Sequence, residues 1–253
     1  MKYLAKIKYL GTDFCGFQVQ PNARTVQGEL TRAMTEFFGT ECKVTGCSRT
    51  DSGVHANEYV LVLDAPGATV PADRLPLASA RFLPEDISFF YATECPDGFH
   101  PRYDTVSKQY LYRIINAQVR DPFEVGRAWF ISRPIHDGAI ELMQSAAKNF
   151  IGKNDFSAFM SEGSDVSDTV RTVSDLSVTK NGDLIEIKIS ADGFLYNMVR
   201  IIVGTLIDVA FQRIAPERVS EIIESGDRSL AGITAPPDGL YLNQVNYRLP
   251  DLQ

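Results

Sequence analysis

The apolar residues of this chain change period from two to about 3.6 and back without regular alternation, and this constrains the fold more than any other feature. Tyr3, Ala5, Ile7 and Tyr9 alternate with Lys2, Leu4, Lys6 and Lys8. That pattern suits an antiparallel strand with one largely polar face. After a Gly and Pro loop, Thr25 can cap a helix on which Val26, Leu30, Ala33, Met34 and Phe37 recur at helical spacing until Gly39 ends it. Short strands are predicted at 42–45 and 58–63, a helix at 71–83 and a strand at 86–95. The first domain closes near residue 103.

The second half repeats this logic. A strand at 109–116 precedes a helix at 138–150 with Ile140, Met143, Ala147 and Phe150 on one face. Strands at 176–179 and 184–190 flank Asn181-Gly182-Asp183, a hairpin signal. Val199, Ile202, Val203, Leu206 and Val209 form one helical stripe, and Val219, Ile222 and Ile223 another. Asn197, Arg200, Gly204 and Asp208 share the face opposite the first stripe, so Arg200 can point away from the core toward another segment. A last strand spans 240–247. A parallel sheet needs regular alternation, so the expectation is α+β: two ferredoxin-like or RRM-like sandwich domains, 1–103 and 104–253. They are expected to share an extended, mainly antiparallel sheet, with the active-site cleft between them.

The composition is that of an ordinary globular chain, 44% hydrophobic and 23% charged over 253 residues. A formal charge of -7 argues against a general polyanion binder, yet cations gather locally. Lys2, Lys6, Lys8, Arg24, Arg32, Lys43 and Arg49 lie within residues 1–57, and Arg102, Lys108, Arg113 and Arg120 face only Asp104 within 98–120. These are either solvated faces or a footprint for a phosphate backbone. Cysteines 15, 42, 47 and 95 match neither a zinc ribbon nor a CxxC pair, so reduced thiols are expected. The N-terminus lacks the unbroken apolar run of a secretion signal, and Ile201 to Leu206 is too short to span a bilayer. A soluble, cytoplasmic protein with no membrane segment is expected.

Chemistry concentrates in Arg49-Thr50-Asp51-Ser52-Gly53-Val54-His55, which places a cation, a carboxylate and an imidazole on one turn. By itself the segment reads first as ordinary turn chemistry. His55 and His100 invite a metal or general-base reading. Three histidines in all, with no HExxH or Cys/His pairing, argue against a metal site, and both are expected to be structural or to hydrogen-bond their loops.

Taken together, GTDFCGFQVQPNARTVQGEL and GCSRTDSGVHA resemble the N-terminal half of TruA-type tRNA pseudouridine synthases. FHPRYDTVSKQYLY at 99–112, NDFSAF at 154–159, NMVRIIVG at 197–204 and GLYL at 239–242 extend the resemblance over nearly the whole chain. It implies an isomerase that turns uridine into pseudouridine at positions 38–40 of the tRNA anticodon stem and loop. It further implies a homodimer and no cofactor or metal. Residue by residue, Asp51 takes the essential catalytic role, positioned with the help of Arg49 and Gly53. Tyr110 matches the tyrosine that lies against the target base, Arg102 an arginine that helps displace the nucleotide, and Arg200 one that pairs with the catalytic carboxylate. Arg24 and Lys108 join Arg49 and Arg102 as expected RNA contacts, and Tyr112 is expected in the core. Phe17 stands where the family often has Trp, Ser48 where it often has Gly and Ser52 where Ala is common, without loss of a catalytic group. Two rivals remain at this stage: a catalytically silent RNA-binding protein of the same fold, and a hydrolase using Asp51 with His55 and Arg49.

Overall fold

The computed structural model describes residues 1–163 and 166–249. Its elements are β1 (Lys2–Tyr9), α1 (Val26–Phe38), β2 (Lys43–Gly46), β3 (His55–Asp64), α2 (Leu75–Ser79), β4 (Ile87–Glu94), β5 (Thr105–Asn116), β6 (Trp129–Ile131), α3 (Ala139–Ala147), β7 (Gly152–Asp155), β8 (Val170–Asn181), β9 (Leu184–Ala191), α4 (Met198–Ala210), α5 (Arg218–Ser225) and β10 (Leu240–Tyr247). The chain divides into two units, Met1–Val106 with the segment from Tyr241 onward, and Ser107–Leu240. The C-terminal strand, expected in the domain 104–253, thus belongs with the first unit. Its pairing is made by main-chain bonds to residues far away in sequence, for which no local pattern exists.

In the first unit β1 lies between β3 and β4 and is antiparallel to both. β2 runs antiparallel along the other edge of β3, and β10 joins that edge in parallel, Tyr241 opposite His55 and Leu242 opposite Ala56. The expected alternation holds, with Tyr3, Ala5, Ile7 and Tyr9 buried and Lys2 and Lys8 exposed; on the polar face Leu4 is nevertheless 1% exposed and Lys6 is drawn into an ion pair with Glu58 at 3.1 Å. α1 forms as its signals require. The Thr25 hydroxyl accepts from Gly28 N at 3.2 Å, and Gly39 at φ 66 closes the last turn. Val26, Leu30, Ala33 and Met34 are fully buried; for the aliphatic ones, each such side chain contributes about 1.5–3 kcal/mol. The helix expected at 71–83 is only one α-turn between two 3-10 turns, because Pro76, inside the expected span, has no N–H to donate to Ala72 O and can only start a new turn.

In the second unit β5, β9, β8 and β7 follow one another antiparallel, and the short β6 lies parallel on the other edge of β5. The β8–β9 hairpin turns at the anticipated Asn181-Gly182-Asp183, with Asn181 opposite Leu184. β6 and β7 escape sequence reading because one has three residues and the other, Gly-Lys-Asn-Asp, is polar throughout. Both units are therefore α+β with mainly antiparallel sheets, as expected.

The face of α4 opposite its apolar stripe meets another segment, as expected, and that segment covers it closely: Gly204 and Thr205 are buried along with the stripe. The segment preceding Ala235 crosses the helix so closely that a Cβ on Gly204 would stand 1.8 Å from Ile233 O. Thr205 Oγ1 accepts from Gly232 N at 2.9 Å while donating to Ile201 O at 2.9 Å. No helix among the described residues is long and apolar enough to cross a membrane.

Candidate active site

Asp51 opens a four-residue turn closed by Val54 N donating to Asp51 O at 3.2 Å, and Gly53 supplies the φ of 81° that its third position needs. A second loop, residues 11–17, is laced against this turn. Phe17 N donates to Thr50 O at 3.1 Å, Gly53 N to Phe14 O at 3.2 Å and the Ser52 hydroxyl to the same Phe14 carbonyl at 3.2 Å. Tyr9 and Thr50 share a hydroxyl bond of 2.9 Å. Gly16, at φ 85, lies so near that a Cβ would come within 2.6 Å of Thr50 O. The half-buried Asp51 thus sits on a backbone fixed before any ligand arrives, as a catalytic carboxylate requires.

His55 is fully buried, its Nδ1 accepts from Gly11 N at 2.9 Å, and its ring stacks on Tyr241 at 4.5 Å. An accepting Nδ1 places the ring proton on Nε2, so His55 braces the loop, as expected. His100 likewise organises its turn: its Nδ1 accepts from Arg102 N at 3.2 Å and Tyr103 N at 3.4 Å. The residues that depart from the family pattern are accommodated. Phe17 stacks on Tyr59 at 4.3 Å, the Tyr59 hydroxyl bonds to Ser48 O, and Ser52 adds its tie to Phe14.

The cations expected to meet RNA differ in their surroundings. Arg49 and Arg102 are exposed. Arg24 is gripped at both nitrogens of its fork by Asp86, at 2.8 and 3.1 Å, and lies over the Phe14 ring at 4.1 Å. Phe14 is the residue whose carbonyl holds the Asp51 turn, so the geometry gives Arg24 a bracing position. Lys108 is half-buried on β5, opposite Ala191.

Tyr110 and Tyr112 occupy the same face of β5 with different surroundings. Tyr110 retains 8% exposure and meets Phe194 edge-on at 5.0 Å. Tyr112 is fully buried and donates to Pro236 O at 2.6 Å. Burial pushes its phenol far above the ordinary range, against the opposing charge of Arg200. Tyr112 belongs to the core, as expected, and lies within the field of Arg200. On α4, Arg200 donates from Nε to Ala235 O at 2.6 Å and from Nη1 to Asn197 Oδ1 at 2.7 Å. NDFSAF proves to be architecture: Phe156 and Phe159 are fully buried, and Phe159 meets Phe150 edge-on at 5.1 Å.

Among the described residues no group of three or more His, Cys, Asp or Glu side chains could hold a metal ion. The chain matches the family described as tRNA pseudouridine synthase over residues 5–104 and 146–248. It belongs to that family. Tyr110 and Asn116 lie between the two matched segments, whereas Asp51 and Arg200 lie within them. The tRNA pseudouridine synthase A of Thermoanaerobacter sp. strain X514 is 46% identical over 241 residues, covering 95% of this chain and 97% of that protein. That of Bacillus subtilis strain 168 is 41% identical over 249 residues, covering 98% and 99%. Among solved structures, a Cbf5-Nop10-Gar1 complex aligns at a TM-score of 0.40 and 11% identity over 95% of this chain and 49% of that one, and nothing is argued from it. Pseudouridine synthases of this family are isomerases acting on uridine in tRNA, and this chain is an enzyme of that class.

Sequence reasoning missed the surroundings of Arg200. Asn197 precedes α4 at φ 61 without capping it, and its side chain bridges Arg200 and Ser161. A non-glycine residue at positive φ is the signal that could have drawn attention to it, but φ is not legible in sequence.

Proposed function

We propose that this enzyme isomerises uridines on the 3′ side of the tRNA anticodon stem and loop, with Asp51 as the reacting carboxylate. Arg200 keeps Asp51 ionised, Tyr110 lies against the extruded base, and Arg102 helps displace the nucleotide. Arg49, Arg24 and Lys108 serve the RNA backbone. The enzyme acts as a homodimer in the cytoplasm. The observation that carries this reading is Asp51 itself: the acid of the RTD segment stands within the matched residues 5–104, on a turn immobilised by a second loop.

The reaction breaks the bond from C1′ to N1, turns the uracil, and joins C1′ to C5. N1 gains a proton and C5 loses one, so atoms and electrons balance with no redox partner. Asp51 serves as nucleophile toward C1′ or C6, or stabilises positive charge developing at the sugar. A guanidinium opposes the rise in carboxylate pKa that desolvation brings. The target uracil is unreachable while stacked, and extruding it costs a few kcal/mol, offset by stacking in the pocket. Tyr110 offers that surface, and its hydroxyl relays the C5 proton.

The decisive experiment incubates the protein with a tRNA transcript and maps pseudouridine chemically, beside Asp51→Ala. The native protein should modify the anticodon arm and the variant should be inactive with its fold intact. Binding without modification by the native protein would instead indicate a silent RNA-binding protein, and strand cleavage a hydrolase. Tyr110→Phe should bind RNA and turn over slowly; unimpaired turnover removes the proton relay.

A further inference from the structure

We propose that Asn197 is a positioning residue that sets the orientation of the Arg200 guanidinium, an inference resting on the reading of Arg200 as partner of the reacting carboxylate. An arginine head sits at the end of a long flexible stem, and its planar fork is useful only when its plane and direction are fixed. Arg200 is fixed from two sides. Ala235 O accepts from Nε at 2.6 Å, and Asn197 Oδ1 accepts from Nη1 at 2.7 Å. Bonds to nitrogens on different arms of one rigid plane define both its tilt and its roll, so the direction of its remaining donors follows.

The two acceptors are themselves held. Ala235 N donates back to Arg200 O at 3.1 Å, so this segment and the helix are tied in both directions. Asn197 donates from Nδ2 to Ser161 Oγ at 2.9 Å, and Ser161 N donates to Tyr196 O at 3.1 Å. The bond from Arg200 fixes which end of the Asn197 amide faces it, because a flipped amide would oppose donor to donor, and the Ser161 hydroxyl accepts from the other end.

The backbone of Asn197 shows what its side chain is for. It occupies the left-handed region at φ 61 immediately before α4, where glycine is the least strained residue; its carbonyl accepts from Ile201 N at 3.0 Å, but its side chain makes no capping bond to a helix N–H. The usual reason for a polar residue at a helix start is therefore absent. What the side chain does instead is join Arg200 to Ser161. Asparagine tolerates this backbone region better than most residues and carries the acceptor that glycine lacks.

The test separates backbone from side chain. Asn197→Gly keeps the favourable φ and deletes the amide, whereas Asn197→Ala deletes the amide and adds strain. Both are compared with the native enzyme and Arg200→Ala on a tRNA transcript, by steady-state and single-turnover kinetics, with melting temperatures alongside. Asn197→Gly should lower kcat on the order of tenfold to a hundredfold, as misplacement of a reacting group does. KM should stay within about twofold, because the lost interaction acts in the transition state. In the Arg200→Ala background, Asn197→Gly should cause no further loss, since both act through one guanidinium. A native kcat per folded molecule in Asn197→Gly, or losses that multiply in the double variant, overturns the proposal. If Arg200→Ala itself turns over normally, the role given to Arg200 is what fails. An inactive Arg200→Ala beside a fully active Asn197→Gly defeats the inference about Asn197 alone.

Discussion

The Asp51 turn and the start of α4 hold the side chains proposed to act in the reaction in different ways. Around Asp51 the support is redundant: bonds from Phe17, Gly53, Ser52 and Tyr9, and the Gly11–His55 tie at the foot of β3, all hold one short backbone. Around Arg200 it includes two acceptors that set the guanidinium plane, one of them a single side chain. A redundant support survives deletion of any one side chain and fails only when the backbones are forced apart. An orientation set through one side chain can be undone by one substitution that leaves the fold intact.

The sharpest way to break this contrast is to push the backbones. Gly204→Ala drives a Cβ to within 1.8 Å of Ile233 O, and either the crossing segment or α4 must move. It should destabilise the protein by about 3 kcal/mol or more in denaturant titration and displace Ala235 from Arg200. Gly16→Ala adds strain at φ 85 to a Cβ placed 2.6 Å from Thr50 O, and should cost about 1–3 kcal/mol together with most of the turnover. If Gly16→Ala were fully active, the lacing of the two loops would be irrelevant to Asp51.

Tyr112→Phe leaves Pro236 O without its phenol and should cost about 1–3 kcal/mol in denaturant titration. Tyr112 also sets a pH dependence. Burial raises the folded phenols of Tyr112 and Tyr247 above their unfolded value, which lies near 10. The stability they carry is whole below about pH 10 and is lost as pH rises past it, because only the unfolded chain ionises readily there. Denaturant midpoints between neutral and alkaline pH should fall less steeply for Tyr112→Phe than for the native protein. The smallest effect belongs to Ser52→Ala, which removes one of several ties and should change stability by roughly 0.5 kcal/mol, with turnover preserved.

Much of this molecule was legible because its signals are local. Thr25 and Gly39 bound α1 through bonds made within a few residues, Asn181-Gly182-Asp183 encodes its own reversal, and the RTD segment names its family from contiguous residues. Where local chemistry conflicts with burial the reading failed. Lys6 reads as surface but is drawn into an ion pair with Glu58, and nothing in α4 itself shows that the segment meeting its polar stripe is Gly232 and Ile233. Tyr110 and Tyr112 cannot be told apart by spacing, because their difference arises from Phe194 and Pro236, far along the chain.

By itself, then, the sequence determined the elements that close their own hydrogen bonds and the chemical family, since both depend on residues that are neighbours in the chain. Tertiary structure alone decided that β10 completes the first unit, that Gly11 is the group His55 holds, and that Asn197 reaches Arg200. Each of these is a bond between groups that only folding brings within reach, with geometry set by backbone angles that residue identity does not dictate.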